Sequence, residues 1–242
     1  IAYSRHPMIP QAIGFFGWKR PEIAKKTLDA LSRCSGVENW PLVAFLDQGA
    51  APELIEAIRG WGASTLLDCR VSDSKLGCSG NLTGGIMELF ALCSSRFIVL
   101  EDDCYPAEDF ITYMDGYLSS EHEANHSIMS VTSYRPAWNR ARFGTNIPEY
   151  DTTPGFHCWG WGTWKSRMGH FHNALIPVRG DMPEDSWDTR LNNYAAHHGM
   201  VCLMPRLCRT LNIGTYDWTH TPGEDLTKEE WAGKQDPKEI RK

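Results

Sequence analysis

The residues best suited to do chemistry stand together at Glu101-Asp102-Asp103. They follow the apolar run Phe97-Ile98-Val99-Leu100, which is short enough to be a buried parallel strand. Three consecutive carboxylates at a strand end repel one another and are costly to desolvate unless a cation sits among them, so the triplet is a candidate divalent-metal site. Pro106, Glu108 and Asp109 come next, and acids also favour a first helical turn, which gives the triplet a second reading as a helix N-terminus. Position favours the ligand reading, because open α/β sheets bind ligands outside the carboxyl ends of their strands. Other phosphate-binding devices are missing. No G-x-G-x-x-G or G-x-x-x-x-G-K-[ST] occurs, and the glycine-rich stretch from Gly77 to Gly85 fits neither spacing. H-E-x-x-H and G-x-S-x-G are absent as well, which lowers metalloprotease and α/β-hydrolase readings.

Composition narrows the ligand. The 242 residues hold 24 Lys+Arg against 30 Asp+Glu, a formal charge of −6, with no long basic run. A nucleic-acid binder or basic membrane-surface protein normally shows such a patch, so no nucleic-acid partner is expected. An acidic chain that binds a phosphorylated ligand needs help, most simply a divalent cation. Trp is high at 10, and surplus Trp lines sugar-binding clefts or fills cores. The 8 cysteines include no C-x-x-C pair, so zinc ribbons are disfavoured while disulfides and free thiols both stay open. Two sequons, at Asn81 and Asn125, leave the compartment open too. No apolar run reaches the roughly 18 residues of a membrane span, and the opening residues do not read as a secretory signal.

The elements that must position these residues are legible in the first half. Ile9 to Phe16 reads as a strand, followed by a helix with Pro21 at its start and Ile23, Thr27, Leu28 and Leu31 at helical spacing. Pro41 to Leu46 is a second strand ending in Asp47-Gln48-Gly49, and Leu54, Ile55, Ile58 and Trp61 mark the next helix. Ser64 to Leu67 is a third strand. A loop with Lys75-Leu76-Gly77 then leads to a helix bearing Leu82, Ile86, Leu89, Phe90 and Cys93, before a fourth strand from Arg96 to Leu100. Repeated βα units predict an α/β fold with a mainly parallel central sheet flanked by helices. The second half is less regular: a strand from Ile128 to Ser133, a Pro/Gly/aromatic-rich stretch from Pro148 to Trp164, a helix from about Pro183 to His198, and strands near Met200 to Leu203 and Cys208 to Ile213. We read residues 1–222 as one domain, with a regular half at 1–104 and an irregular half at 105–222. Residues 223–242 read as a polar tail.

A strand ending in an acidic triplet, after two βα units with an Asp closing the second strand, resembles the GT-A class of nucleotide-sugar glycosyltransferases. The segment Ile98 to Asp103, followed by Pro106-Ala107-Glu108-Asp109-Phe110, is similar to the E-D-D-x-x-x-A-P-D-F region of N-acetylglucosaminyltransferase I and its relatives. Ser186-Trp187-Asp188 and the run from Gly199 to Thr210 are similar to that family's W-D-D-W and R-P-E-x-S-R-T stretches. His157 to Trp164, and Asn212-Ile213-Gly214 through His220, resemble blocks of bacterial family-2 type relatives. The likeness spans about residues 10–222 as ordered blocks.

That resemblance implies a GT-A, Rossmann-like fold with a nucleotide-binding half at 1–104 and an acceptor-binding half at 105–222. It also implies a metal-dependent, inverting transfer from a UDP-sugar, GlcNAc-like by preference, to a carbohydrate acceptor. It places Arg20 and Asp47 at the uridine, with Lys75, Glu101 and Asp102 in the same donor-binding set. It gives Asp103 the role of ligand to Mn²⁺ or Mg²⁺, and makes His220 a further metal or phosphate ligand. Asp188 would be the general base. Thr189 and Arg190 depart from the family's second Asp and Trp, so Asp185 stands in reserve. The stretch Gly155 to Trp164 would form the acceptor wall. A cytoplasmic location of bacterial type is favoured over a Golgi lumen. Simpler readings stand beside these: Asp47 as a turn residue, Arg20 as a solvated helix start, Asp188 as a first-turn acid, His220 as a surface residue, and the tryptophans as core. The rival functions are a Mg²⁺-dependent nucleotidyl or phosphoryl transferase and a non-catalytic sugar-binding module.

Overall fold

The computed structural model describes residues 7–136, 150–176, 186–214 and 228–240. An eight-stranded sheet forms its centre, in the order β3-β2-β1-β4-β8-β6-β9-β7. The strands are β1 (Ile9–Gly17), β2 (Leu42–Leu46), β3 (Leu66–Val71), β4 (Cys93–Glu101), β6 (Ile128–Thr132), β7 (Tyr150–Pro154), β8 (Trp161–Trp164) and β9 (Val201–Pro205). Six strands run one way, while β8 and β7 run antiparallel to their neighbours. A separate ribbon pairs β5 (Cys104–Pro106) with β10 (Thr210–Asn212). The helices are α1 (Pro21–Ser32), α2 (Pro52–Arg59), α3 (Gly77–Leu92), α4 (Phe110–Leu118), α5 (Met168–Leu175), α6 (Trp187–His197) and a short α7 (Pro237–Ile240).

Strand periodicity divides the core into two layers. Ile13, Phe15, Leu42, Ala44, Leu46, Ile98 and Leu100 face α1, α2 and α4, meeting Leu28, Leu31, Leu54, Ile58, Phe110 and Met114. Their neighbours Ala12, Phe16, Val43, Phe45, Phe97 and Val99 face α3, α5 and α6, meeting Leu82, Ile86, Leu89, Phe171 and Leu191. Strands buried on both faces read as continuous apolar runs, which is why β2 and β4 stood out of the sequence. Pro21 opens α1 as expected. The glycine-rich stretch turns out to be the first half of α3, where a side chain at Gly85 would collide with the ring of Phe16. Asn81 lies in this helix with its amide donating to the Phe45 carbonyl at 3.1 Å, so that sequon is committed to packing.

Three expectations are corrected. The third strand runs Leu66–Val71, later than Ser64 to Leu67, because as an edge strand it carries the Asp68–Arg70 ion pair (2.8 Å) where the sequence looks polar. Within the stretch expected to be an acceptor wall, Trp161 and Trp164 are fully buried in β8, and Phe156 packs edge-on against Trp161 at 4.9 Å. Core packing therefore claims these rings, leaving His157, Cys158 and Trp159 part-exposed. Over residues 228–240 the expected polar tail is packed: Trp231 and Ile240 are buried beside Cys208, Leu211 and Tyr105, and Tyr105 Oη donates to Gln235 Oε1 at 3.1 Å. No helix among the described residues is long and apolar enough to cross a membrane.

Candidate functional site

The site is assembled where β1, β2 and β4 end. The β1–β4 ladder continues one step past β4, with the Asp102 N–H donating to the Phe16 carbonyl at 2.8 Å. Thr27 of α1 donates to the Asp102 carbonyl at 2.8 Å, and Ile213, just past β10, donates its N–H to the Asp103 carbonyl at 2.8 Å. The backbone of the acidic turn is thus held from three directions, and its side chains are presented together. Asp102 and Asp103 are both buried.

Arg20, at the start of α1, reaches back across this turn. Its guanidinium pairs with Asp102 Oδ1 and with Asp103 Oδ2, the latter at 2.9 Å. Burial by itself would weaken the Arg20 cation, but Asp102 and Asp103 overcome that and raise its pKa above the ordinary value. The carboxylates respond in the opposite sense. Burial pushes Asp102 up to about 7 despite Arg20, with Asp103 adding to the rise. Burial, then Asp103, Asp102 and Asp188, hold Glu101 well above the usual carboxylate range. One guanidinium therefore serves Asp102 and Asp103 directly and Glu101 at longer range.

Asp188 joins this group from the other half of the chain. It sits in the first turn of α6, where Ser186 Oγ donates to its Oδ1 and the Cys158 thiol lies 3.9 Å from its Oδ2. Its charge is felt at Glu101, Cys78 and Cys158. At Cys78, an exposed residue at the start of α3, Glu101 and Asp188 both act to raise the thiol. The fold thus brings the strand-end acids and the helix-start acid, 85 or more residues apart in sequence, into one electrostatic environment.

Asp47 is buried at the end of β2, and its oxygens accept from three backbone N–H groups: Gln48 and Leu76 on Oδ1, each at 2.8 Å, and Gly77 on Oδ2 at 2.9 Å. This carboxylate fastens the start of α3 to the sheet, with lone-pair capacity left on Oδ2. Lys75 stands beside that anchor, its Nζ 5.2 Å from the ring centroid of Trp18, with Lys19 Nζ at 4.5 Å from the same ring. Asp185 and His220 lie outside the described residues. Sequence reasoning gave no site role to Trp18, Thr27 or Cys78, and took Cys158 only as part of the acceptor wall. Only Trp18 had a signal, standing next to the glycine that ends β1.

Among the described residues, no group of three His, Cys, Asp or Glu side chains is placed to hold a metal by itself. The donor set nonetheless suits a hard cation. Among the described residues Asp103 Oδ1 meets only the weak Cys104 thiol at 3.8 Å, and a Mg²⁺-type ion is commonly held by one or two carboxylates with substrate phosphates and waters filling the octahedron.

No family model matches the chain, and no curated protein matches it by sequence. Solved structures do match it in fold. A mannosyltransferase from Pyrobaculum calidifontis, PcManGT, in complex with GDP-Man and Mn²⁺, superposes with a TM-score of 0.55 at 13% identity over 88% of this chain and 62% of that one. S. aureus TarS 1–349 gives 0.54 at 8% over 81% and 58%. GalNAc-T7 with UDP, GalNAc and Mn²⁺ gives 0.56 at 10% over 83% and 43%. The chain thus spans less than two thirds of each of these structures. The fold is the GT-A, Rossmann-like fold.

Proposed function

We propose that this chain is a metal-dependent glycosyltransferase that moves a sugar from a UDP-sugar, GlcNAc-like by preference, to a hydroxyl of a carbohydrate acceptor with inversion. The observation that carries the reading is the convergence of Glu101, Asp102 and Asp103 with Asp188 on a GT-A sheet. Asp188 is the general base and Oδ2 is the oxygen that takes the proton, since Oδ1 is engaged by the Ser186 hydroxyl and Oδ2 meets the weakly donating Cys158 thiol at 3.9 Å. The acceptor oxygen forms its bond to the anomeric carbon as the bond from that carbon to the diphosphate oxygen breaks. The departing electron pair goes to UDP, and the acceptor proton goes to Asp188. Bound at Asp103, Mn²⁺ or Mg²⁺ would supply charge neutralisation to the leaving diphosphate. Asp102 and Glu101 face the sugar and ribose, while Lys75 and the Trp18 ring border the nucleotide. Arg20 and Asp47 serve the donor indirectly, one by holding Asp102 and Asp103 in place and the other by holding the start of α3. Asp185 stays in reserve as base, and His220 as a further ligand to the metal or phosphate. Eight free thiols favour a reducing, cytoplasmic compartment.

The test is UDP release from candidate UDP-sugars with Mn²⁺, with and without EDTA. Turnover that needs Mn²⁺ and is lost in Asp188→Asn is expected. No release with any donor, together with UDP binding in Asp103→Ala equal to wild type, would sink the reading. Full turnover in Asp188→Asn with none in Asp185→Asn would transfer the base role to Asp185.

A further inference from the structure

The first turn of α6 is held more firmly than its short amphipathic sequence requires. The Trp187 N–H donates to Ser79 Oγ of α3 at 3.2 Å, so one helix start rests on another. Arg190 donates to the Leu175 carbonyl at 2.7 Å and to Thr83 Oγ1 at 3.3 Å. One turn beyond Asp188, Asn192 Oδ1 accepts the Phe156 N–H at 3.0 Å. Residues four apart lie on the same helix face, so Asp188 and Asn192 address the same loop. That loop begins at Gly155, whose φ of +93° is a left-handed value that favours glycine. A Cβ at Gly155 would collide with Asn192 Oδ1, so the glycine and the asparagine fit each other. The loop then delivers the Cys158 thiol to Asp188 Oδ2.

We propose that Asn192 is a positioning residue: through the Phe156 N–H it holds the loop 155–158 against α6, and so fixes the Asp188 carboxylate relative to Glu101. The proposal rests on Asp188 as the base. Ser79 supports the helix start through the Trp187 N–H, and because Asp47 fastens the neighbouring Leu76 and Gly77, the support runs back to the end of β2. Freed from Asn192, the loop would move away from Asp188 and uncover Cys158.

Two readouts on the full chain separate this proposal from the base assignment. The first is alkylation of Cys158 by iodoacetamide, followed by peptide mass spectrometry with Cys69 on the far edge strand as reference. The second is kcat and donor KM for transfer with Mn²⁺, with Asp188→Asn measured alongside. In Asn192→Ala we expect Cys158 to react about tenfold faster and kcat to fall about ten- to hundredfold, with donor KM within about twofold. Asn192→Asp keeps the acceptor oxygen and should return both to within about threefold of wild type. It also serves if Asn192→Ala fails to fold. Wild-type Cys158 reactivity in Asn192→Ala overturns the proposal, as does damage in Asn192→Asp equal to that in Asn192→Ala. An unchanged kcat in Asn192→Ala beside an inactive Asp188→Asn overturns it too. If Asp188→Asn keeps full turnover, the base reading falls by itself and Cys158 reactivity alone decides whether Asn192 holds the loop.

Discussion

Asp102 should make the metal-free protein less stable as pH rises, the reverse of ordinary acid denaturation. Its carboxyl moves from 3.8 to about 7 because burial penalises the charged form more than Arg20 rewards it. Below about pH 4 the group is protonated in both folded and unfolded chains and contributes nothing. Between about pH 4 and about pH 7 the unfolded chain has lost this proton while the folded chain keeps it, so stability falls across that window and levels off above it. Each tenfold in proton affinity is worth about 1.4 kcal/mol, so the full loss is about 4 kcal/mol. Glu101, also held high, acts in the same direction. Asp102→Asn keeps an acceptor for Arg20 and removes the titration. Urea unfolding of both proteins in EDTA, from pH 4 to pH 8, isolates the effect as their difference. Wild type should lose about 4 kcal/mol relative to Asp102→Asn across the window. A difference that stays constant within about 1 kcal/mol would refute the electrostatic account of this turn.

Adding Mn²⁺ should oppose that loss. At about 100 times its Kd it stabilises the fold by about 2.7 kcal/mol, seen as a raised unfolding midpoint at pH 7.5 that EDTA reverses and Asp103→Ala abolishes. Asp188→Asn should lower kcat by about 10²- to 10⁴-fold while UDP affinity measured by calorimetry stays within about threefold. Gly160 has φ +65° and a Cβ there would collide with Thr210 Oγ1 and Ser133 Oγ. Gly160→Ala should therefore cost about 2–4 kcal/mol in urea unfolding. Arg167 is fully buried and donates to the carbonyls of Ile128 (2.8 Å), Glu123 (2.7 Å) and Asn125 (3.0 Å). Arg167→Met should cost about 3 kcal/mol by the same assay, because those carbonyls lose their donors.

What the sequence revealed followed local period. β1, β2 and β4 stand out by apolar pattern because each is buried between two helical layers, whereas the edge strand β3 is only half-buried and its bounds were misread. The acidic triplet was legible because it ends such a strand. β8 was not: Trp161-Gly162-Thr163-Trp164 carries a glycine and follows another, so it looks like a loop, yet all four residues are buried between β4 and β6. No local pattern distinguishes a wall of tryptophans from a core of them. Asp47 was equally opaque. Its position at a strand end was readable, but its partners Leu76 and Gly77 lie 29 and 30 residues away and are set by how α3 meets the sheet. Asp188 was found through a resemblance. The thiol and the asparagine that flank it belong to contacts no short motif encodes.

Arg20 explains how such a turn exists at all before any ligand arrives. A planar guanidinium can address two carboxylates at once, which a lysine ammonium cannot do with the same geometry. By taking Asp102 Oδ1 and Asp103 Oδ2, it ties the two neighbouring acids that would otherwise repel most strongly. That leaves Asp103 Oδ1, Glu101 and Asp188 without a cation among the pairs described. Burial first, and then the neighbouring acids, raises the proton affinities of Glu101 and Asp102 in spite of Arg20. On the proposed function a divalent ion held by Asp103 would add positive charge to the turn beside Arg20. On that proposal the net acidity of the chain, unsuitable by itself for a nucleoside diphosphate, would hold at this turn the cation that binds one.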